Sequence, residues 1–125
     1  MKLSLTLALV GALASTALAK TNEQKCQSKN KNVPLAIEAF CAPTNLVVPS
    51  TYATNGKHAG QFGPKDTVVT ITGSCSPAQW VPQKYCLSQF YEMCAYSNKK
   101  GAQTNAYGRN GCQSWKIDVG PRATY

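Results

Sequence analysis

The sequence predicts an α+β fold: a small disulfide-stabilised α/β sandwich in which two helices pack on a short, mainly antiparallel sheet. Three observations predict it. Residues Asp66 to Thr72 are β-branched almost throughout. Cys86, Phe90, Met93 and Cys94 recur at the spacing of one helix face. Ser114 to Val119 alternates between polar and apolar side chains.

The chain has 125 residues, a formal charge of +8 and six cysteines. Its first nineteen residues carry a basic start at Lys2, an apolar run from Leu3 to Val10, and small residues at Ala17 and Ala19. That pattern reads as a secretory signal peptide over 1–19, followed by a single secreted, cysteine-rich domain over 20–125. No second apolar stretch is long enough to span a bilayer. All six cysteines (Cys26, Cys41, Cys75, Cys86, Cys94 and Cys112) fall in the domain, and an even number in a secreted chain of this size reads as three disulfides. Each bridge should contribute roughly 2–4 kcal/mol to a core of this size.

Taken in order, Lys20 to Lys31 is polar and lysine-rich and reads as a loose arm pinned by Cys26. Asn32 is placed as the N-cap of a short helix from Val33 to Cys41, with Pro34 tolerated in its first turn and Pro43 ending it. Leu46-Val47-Val48 reads as a short strand. Ser50 to Pro64, with three glycines, reads as a loop that carries His58. The Asp66–Thr72 strand puts Thr67, Val69 and Ile71 on one face. Pro77 and Pro82 bracket Trp80 in a stiff connector.

A second helix is expected from Gln83 to Tyr96, with both of its cysteines on one stripe. Eight residues of helix separate Cys86 from Cys94 by roughly 12 Å, too far for a bridge, so each must bond to another element. Of the fifteen pairings open to six cysteines, twelve remain. A bridge from Cys41 to one of the two is preferred, because two helices on one sheet face are neighbours. The last strand puts Trp115, Ile117 and Val119 on its buried side, and Gln103–Tyr107 is its expected hairpin partner across a turn flanked by Gly108 and Gly111.

The sequence carries no catalytic constellation. The carboxylates are Glu23, Glu38, Asp66, Glu92 and Asp118, none in a recognisable motif, and Glu38 and Glu92 read most simply as solvated helix-face residues. His58 is the single histidine, the G-x-S-x-G turn is missing, and the Gly-rich segment is no phosphate loop. No C-x-x-C pair exists, so neither a metal site nor a cofactor is expected. The positive charge draws the chain toward anionic polymers, cell walls and lipid headgroups, yet no motif for dedicated nucleic-acid binding accompanies the lysines.

Aromatic rings and amides are the better candidates for a binding surface, since ring faces contact sugars while amides and guanidinium groups hold hydroxyls. Tyr107, Arg109 and Asn110 supply them on one turn, whose alternative reading is a plain glycine hairpin. Trp80 is the fourth candidate, with covering the core as its alternative role.

The Thr67–Thr72 strand, the Cys86…Cys94 helix and above all Tyr107-Gly108-Arg109-Asn110-Gly111-Cys112-Gln113-Ser114-Trp115 resemble small secreted cysteine-rich fungal proteins. The nearest are the Y-three-like glycan-binding lectins and, more loosely, killer-toxin-like effectors with an α/β-sandwich fold. The resemblance covers Asp66 to Val119. It implies a secreted, non-enzymatic fungal effector or lectin-like protein that binds an extracellular glycan or a host surface target. The alternative is a basic antimicrobial or killer-type toxin acting on membranes or cell walls.

Overall fold

The computed structural model describes residues 19–61 and 63–121. The expected signal peptide therefore lies, except for Ala19, outside the described residues. The fold is α+β, with four α-helices, two antiparallel sheets and three disulfides among the described residues.

The lysine-rich arm is not loose. Asn22–Lys29 forms helix α1, opened by a reciprocal cap in which Thr21 Oγ1 accepts from the Gln24 amide and Gln24 Oε1 accepts from the Thr21 amide. Cys26 is its one buried residue. Helix α2, Asn32–Phe40, buries Val33, Pro34, Ala36, Ile37 and Phe40. Asn32 is its first residue rather than its cap, because buried Asn30 accepts the Asn32 N–H on its own side-chain oxygen at 3.0 Å. Both amide hydrogens of Asn30 are also used, by the carbonyls of Lys65 and Lys100.

Strand β1, Val47–Val48, precedes two elements in the segment expected to be a loop. Helix α3, Thr51–Asn55, is capped by the Ser50 hydroxyl and stopped at Gly56 (φ 72°). A Cβ there would come 2.3 Å from the Val69 carbonyl oxygen, so the close approach requires glycine. Strand β2, Lys57–Ala59, carries His58 opposite Val68, so the histidine belongs to the sheet. Strand β3, Thr67–Gly73, buries Thr67, Val69 and Ile71 as its alternation requires. Strand β4, Gln79–Trp80, pairs with β1 in a two-residue ribbon.

Helix α4, Gln83–Ala95, buries the expected stripe of Cys86, Phe90, Met93 and Cys94. Strand β5, Gln103–Tyr107, and strand β6, Gln113–Val119, form the expected hairpin. The larger sheet runs β2-β3-β6-β5, antiparallel throughout. Helices α2 and α4 cover the face that carries Val69, Ile71, Trp115 and Ile117. Phe90 lies 4.6 Å from the Trp115 ring centroid and 5.7 Å from that of Phe40, which makes one aromatic cluster between helices and sheet. Thr72, Lys116 and Asp118, on the opposite face, are exposed.

Cys41 bonds Cys86 and Cys26 bonds Cys94, so the two cysteines of α4 reach different helices. The third bridge, Cys75–Cys112, joins the segment after β3 to the turn before β6. In the chain-entropy account, sequence separations of 68, 45 and 37 residues correspond to about 4 kcal/mol each. No helix among the described residues is long and apolar enough to cross a membrane.

Candidate functional site

Gly73 pairs with Gln113 at one end of the larger sheet, so the chain leaving β3 and the β5–β6 turn meet there. Between them lies a cleft of about 310 Å³. Ser74, Ser76 and Pro77 line one wall, Arg109 and Asn110 the other, and the Cys75–Cys112 bridge ties the two walls together.

Gln79 organises the junction. Its Oε1 accepts the backbone N–H of Arg109 at 3.2 Å and the Nε2–H of Gln113 at 3.1 Å. The same oxygen lies 3.4 and 3.2 Å from the sulfurs of Cys75 and Cys112. These are packing contacts, since a disulfide has no proton to give. Gly108 (φ 79°) must be glycine, because a Cβ there would come 2.6 Å from Gln79 Oε1 and 2.8 Å from Gln113 Cγ.

The turn itself is a single 3-10 turn over Arg109–Gly111, and Asn110 sits in the left-handed region at φ 56°, ψ 28°. It is the one non-glycine residue at positive φ among those described. Asparagine tolerates that conformation better than other side chains, so the turn presents an amide where glycine would present nothing. Arg109 is exposed, and among the described residues its guanidinium has no hydrogen-bond or ion-pair partner; its backbone N–H donates to Gln79 and its carbonyl accepts from the Cys112 N–H at 3.1 Å.

Of the four residues singled out in the sequence, the structure brings Arg109 and Asn110 into the cleft. Tyr107 lies elsewhere. It is opposite Gln113 and therefore on the Trp115 side of the sheet, with its ring edge-on to Trp115 at 5.3 Å. Its hydroxyl accepts from Gln89 Nε2 at 2.7 Å and from Asn105 Nδ2 at 3.0 Å. Trp80 is 62% exposed, so it does not cover the core. It follows Gln79 on β4, and strand alternation sends its ring to the side away from the cleft. Its indole N–H donates to the Thr44 carbonyl at 2.9 Å, and its strand partner is the exposed Val47.

Gln79, Ser74 and Ser76 are lining residues that sequence reasoning missed. No local pattern marks them, since the Cys75–Cys112 pairing is what puts their segment against the turn. The carboxylates sit on different elements, Glu23 on α1, Glu38 on α2, Glu92 on α4 and Asp118 on β6, with Asp66 buried just before β3, and none lines the cleft. No group of three or more potential metal-ligating side chains occurs among the described residues.

Compared with known protein families, with curated proteins and with solved structures, the chain matches none.

Proposed function

We propose that this chain is a secreted, non-enzymatic extracellular protein, lectin-like or effector-like, that binds a glycan or a host surface target in the Arg109–Asn110 cleft. The observation that carries the reading is the character of the two walls. Two serine hydroxyls face a guanidinium and an amide held on a turn that is fixed by a disulfide and by Gln79. Hydroxyl, amide and guanidinium groups match sugar hydroxyls in kind, and a fixed backbone lowers the ordering cost of binding.

Three disulfides support placing the chain in an oxidising, extracellular compartment. The signal-peptide pattern and the Tyr107–Trp115 resemblance point the same way from the sequence. The alternative, a basic toxin acting on membranes or walls, draws its support from the lysines. Lys29 does not serve it, because its ammonium is spent on three carbonyls at the end of α4.

The test is a glycan array probed with the oxidised protein in 0.15 M and 1 M salt, alongside a variant carrying Arg109→Ala and Asn110→Ala. At 1 M salt the Debye length is about 3 Å, so direct hydrogen bonds persist while attraction to scattered lysines fades. A hit kept within tenfold at 1 M salt and lost in the double variant supports the reading. Binding that vanishes in salt, or that the double variant retains, overturns it. Leakage of anionic liposomes at 0.15 M salt would favour the toxin instead.

A further inference from the structure

We infer that the group recognised in this cleft is a carboxylate, and that the ligand class is a uronic-acid polysaccharide. The inference rests on the glycan reading above and adds to it the chemistry of the sugar. Among the described residues, Arg109 is the one charged residue lining the cleft, and no carboxylate lines it to neutralise the guanidinium. A guanidinium offers five N–H donors in a planar fork, and the acceptor that matches two of them at once is a carboxylate.

The surroundings favour a sugar acid over other carboxylates. The Arg109 backbone is held by Gln79 and by the neighbouring bridge, so the side chain starts from a fixed point. The hydroxyls of Ser74 and Ser76 and the amide of Asn110 remain for the hydroxyls of a ring. A peptide C-terminus would instead want an apolar pocket for its last side chain. Among the described residues, Pro77 is the only apolar side chain on either wall apart from the disulfide. The net charge, +8 for the full sequence and about +7 without Lys2 of the expected signal peptide, brings any polyanion to the surface, and Arg109 then selects among them.

The experiment measures binding of the oxidised protein, in 0.15 M salt, to polygalacturonate, its fully methyl-esterified form, a neutral galactan and dextran sulfate. Arg109→Gln is compared with Lys116→Gln, which removes an equal charge from the exposed sheet face at the middle of β6, outside the cleft lining. The variant Arg109→Gln keeps the backbone bond to Gln79, so the turn is retained.

Polygalacturonate should bind at least tenfold more tightly than its methyl ester. Arg109→Gln should lose about tenfold on polygalacturonate, and Lys116→Gln less than twofold. Equal binding of the methyl ester, with the Arg109 dependence kept, overturns the carboxylate requirement and leaves the glycan reading standing. Equal losses in the two variants, or dextran sulfate bound as tightly through Arg109, also overturn it by reducing the effect to charge. Capture of free peptide carboxylates in preference to any glycan, or failure of every glycan to bind, overturns the inference and the glycan reading together.

Discussion

Gln113 donates its side-chain amide to Gln79 at 3.1 Å, and through that bond the core and the cleft share one hydrogen-bond chain. At its inner end the buried Trp115 indole N–H donates to Gln113 Oε1 at 2.7 Å. An indole can only donate, so it fixes which end of the Gln113 amide is oxygen and leaves the nitrogen for Gln79. At the outer end Gln79 Oε1 accepts the Arg109 N–H. The turn that carries Arg109 and Asn110 is thereby held by the largest fully buried side chain among the described residues.

Gln113→Leu should break this chain at its centre. The Trp115 N–H, fully buried, would lose its acceptor, at a cost of about 1–3 kcal/mol. Urea unfolding followed by tryptophan fluorescence should show the lower midpoint. Ligand affinity should fall as well, because the Arg109 turn would lose its inner support. Unchanged stability would mean that the indole finds another acceptor.

Lys29→Met should destabilise the fold although Lys29 lies in a polar, lysine-rich segment. The ammonium donates to the carbonyls of Cys94, Ala95 and Ser97 at 3.1, 2.8 and 3.0 Å and so closes the C-terminus of α4, where the helix dipole favours a cation. Hydrogen bonds to charged groups put the loss at about 1.5–3 kcal/mol. Lys31→Met, on an exposed residue that makes no side-chain cap bond, should stay within about 0.5 kcal/mol. Thermal melts of the two variants side by side make the comparison.

The Lys29 contacts also explain what the sequence made legible and what it did not. Helix α4 and strands β3 and β6 each bury a periodic face, so their side chains record it. Helix α1 buries only Cys26 and leaves no apolar stripe. Its local signal was the Thr21-x-x-Gln24 capping box, while its reason to be a helix is the long-range pair of Cys26–Cys94 and Lys29. Strand β2 is likewise set by its partner β3. The Gln103–Tyr107 hairpin, once read, already fixed the fate of Tyr107, since the residue opposite Gln113 must share the face of Trp115. The cleft was half legible. Its turn was visible in the glycines around Arg109 and Asn110, whereas its other wall depends on a disulfide pairing that no spacing reveals.

The three bridges should differ in how readily a thiol reaches them. Cys26, Cys86 and Cys94 are fully buried and Cys41 is 1% exposed, whereas Cys75 is 6% exposed and Cys112 is half-buried beside the cleft. Thiol exchange needs access to a sulfur. Mild reduction under native conditions, followed by alkylation and peptide mapping, should label Cys75 and Cys112 first. Glycan binding should fall at that stage while helical circular dichroism persists. Simultaneous labelling of all six cysteines would contradict this order.

Tyr91 should give the fold an alkaline limit. Burial, and then the negative charges of Glu23 and Glu38, push its phenol up to about 12 from 10.0; its hydroxyl donates to Glu38 Oε2 at 3.5 Å. A folded-state pKa above the unfolded one favours the neutral form. The stability this provides is complete below pH 10 and is lost as the pH rises toward about 12. Tyr91→Phe has no phenol to ionise there, so its urea midpoint should decline less across that range than that of the wild type. Parallel declines would show that Tyr91 does not set the limit.

Uronate binding in the Arg109–Asn110 cleft is tested most directly by titrating the isotopically labelled, oxidised protein with a soluble uronate oligosaccharide and following amide and side-chain NMR shifts. The expected result is saturable shifts concentrated at Ser74, Ser76 and Arg109 to Cys112, including the Arg109 guanidinium and the Asn110 amide, with Trp80 and the lysines of α1 unmoved. Shifts centred on Trp80 and Val47, or spread without saturation over the lysines, would contradict it.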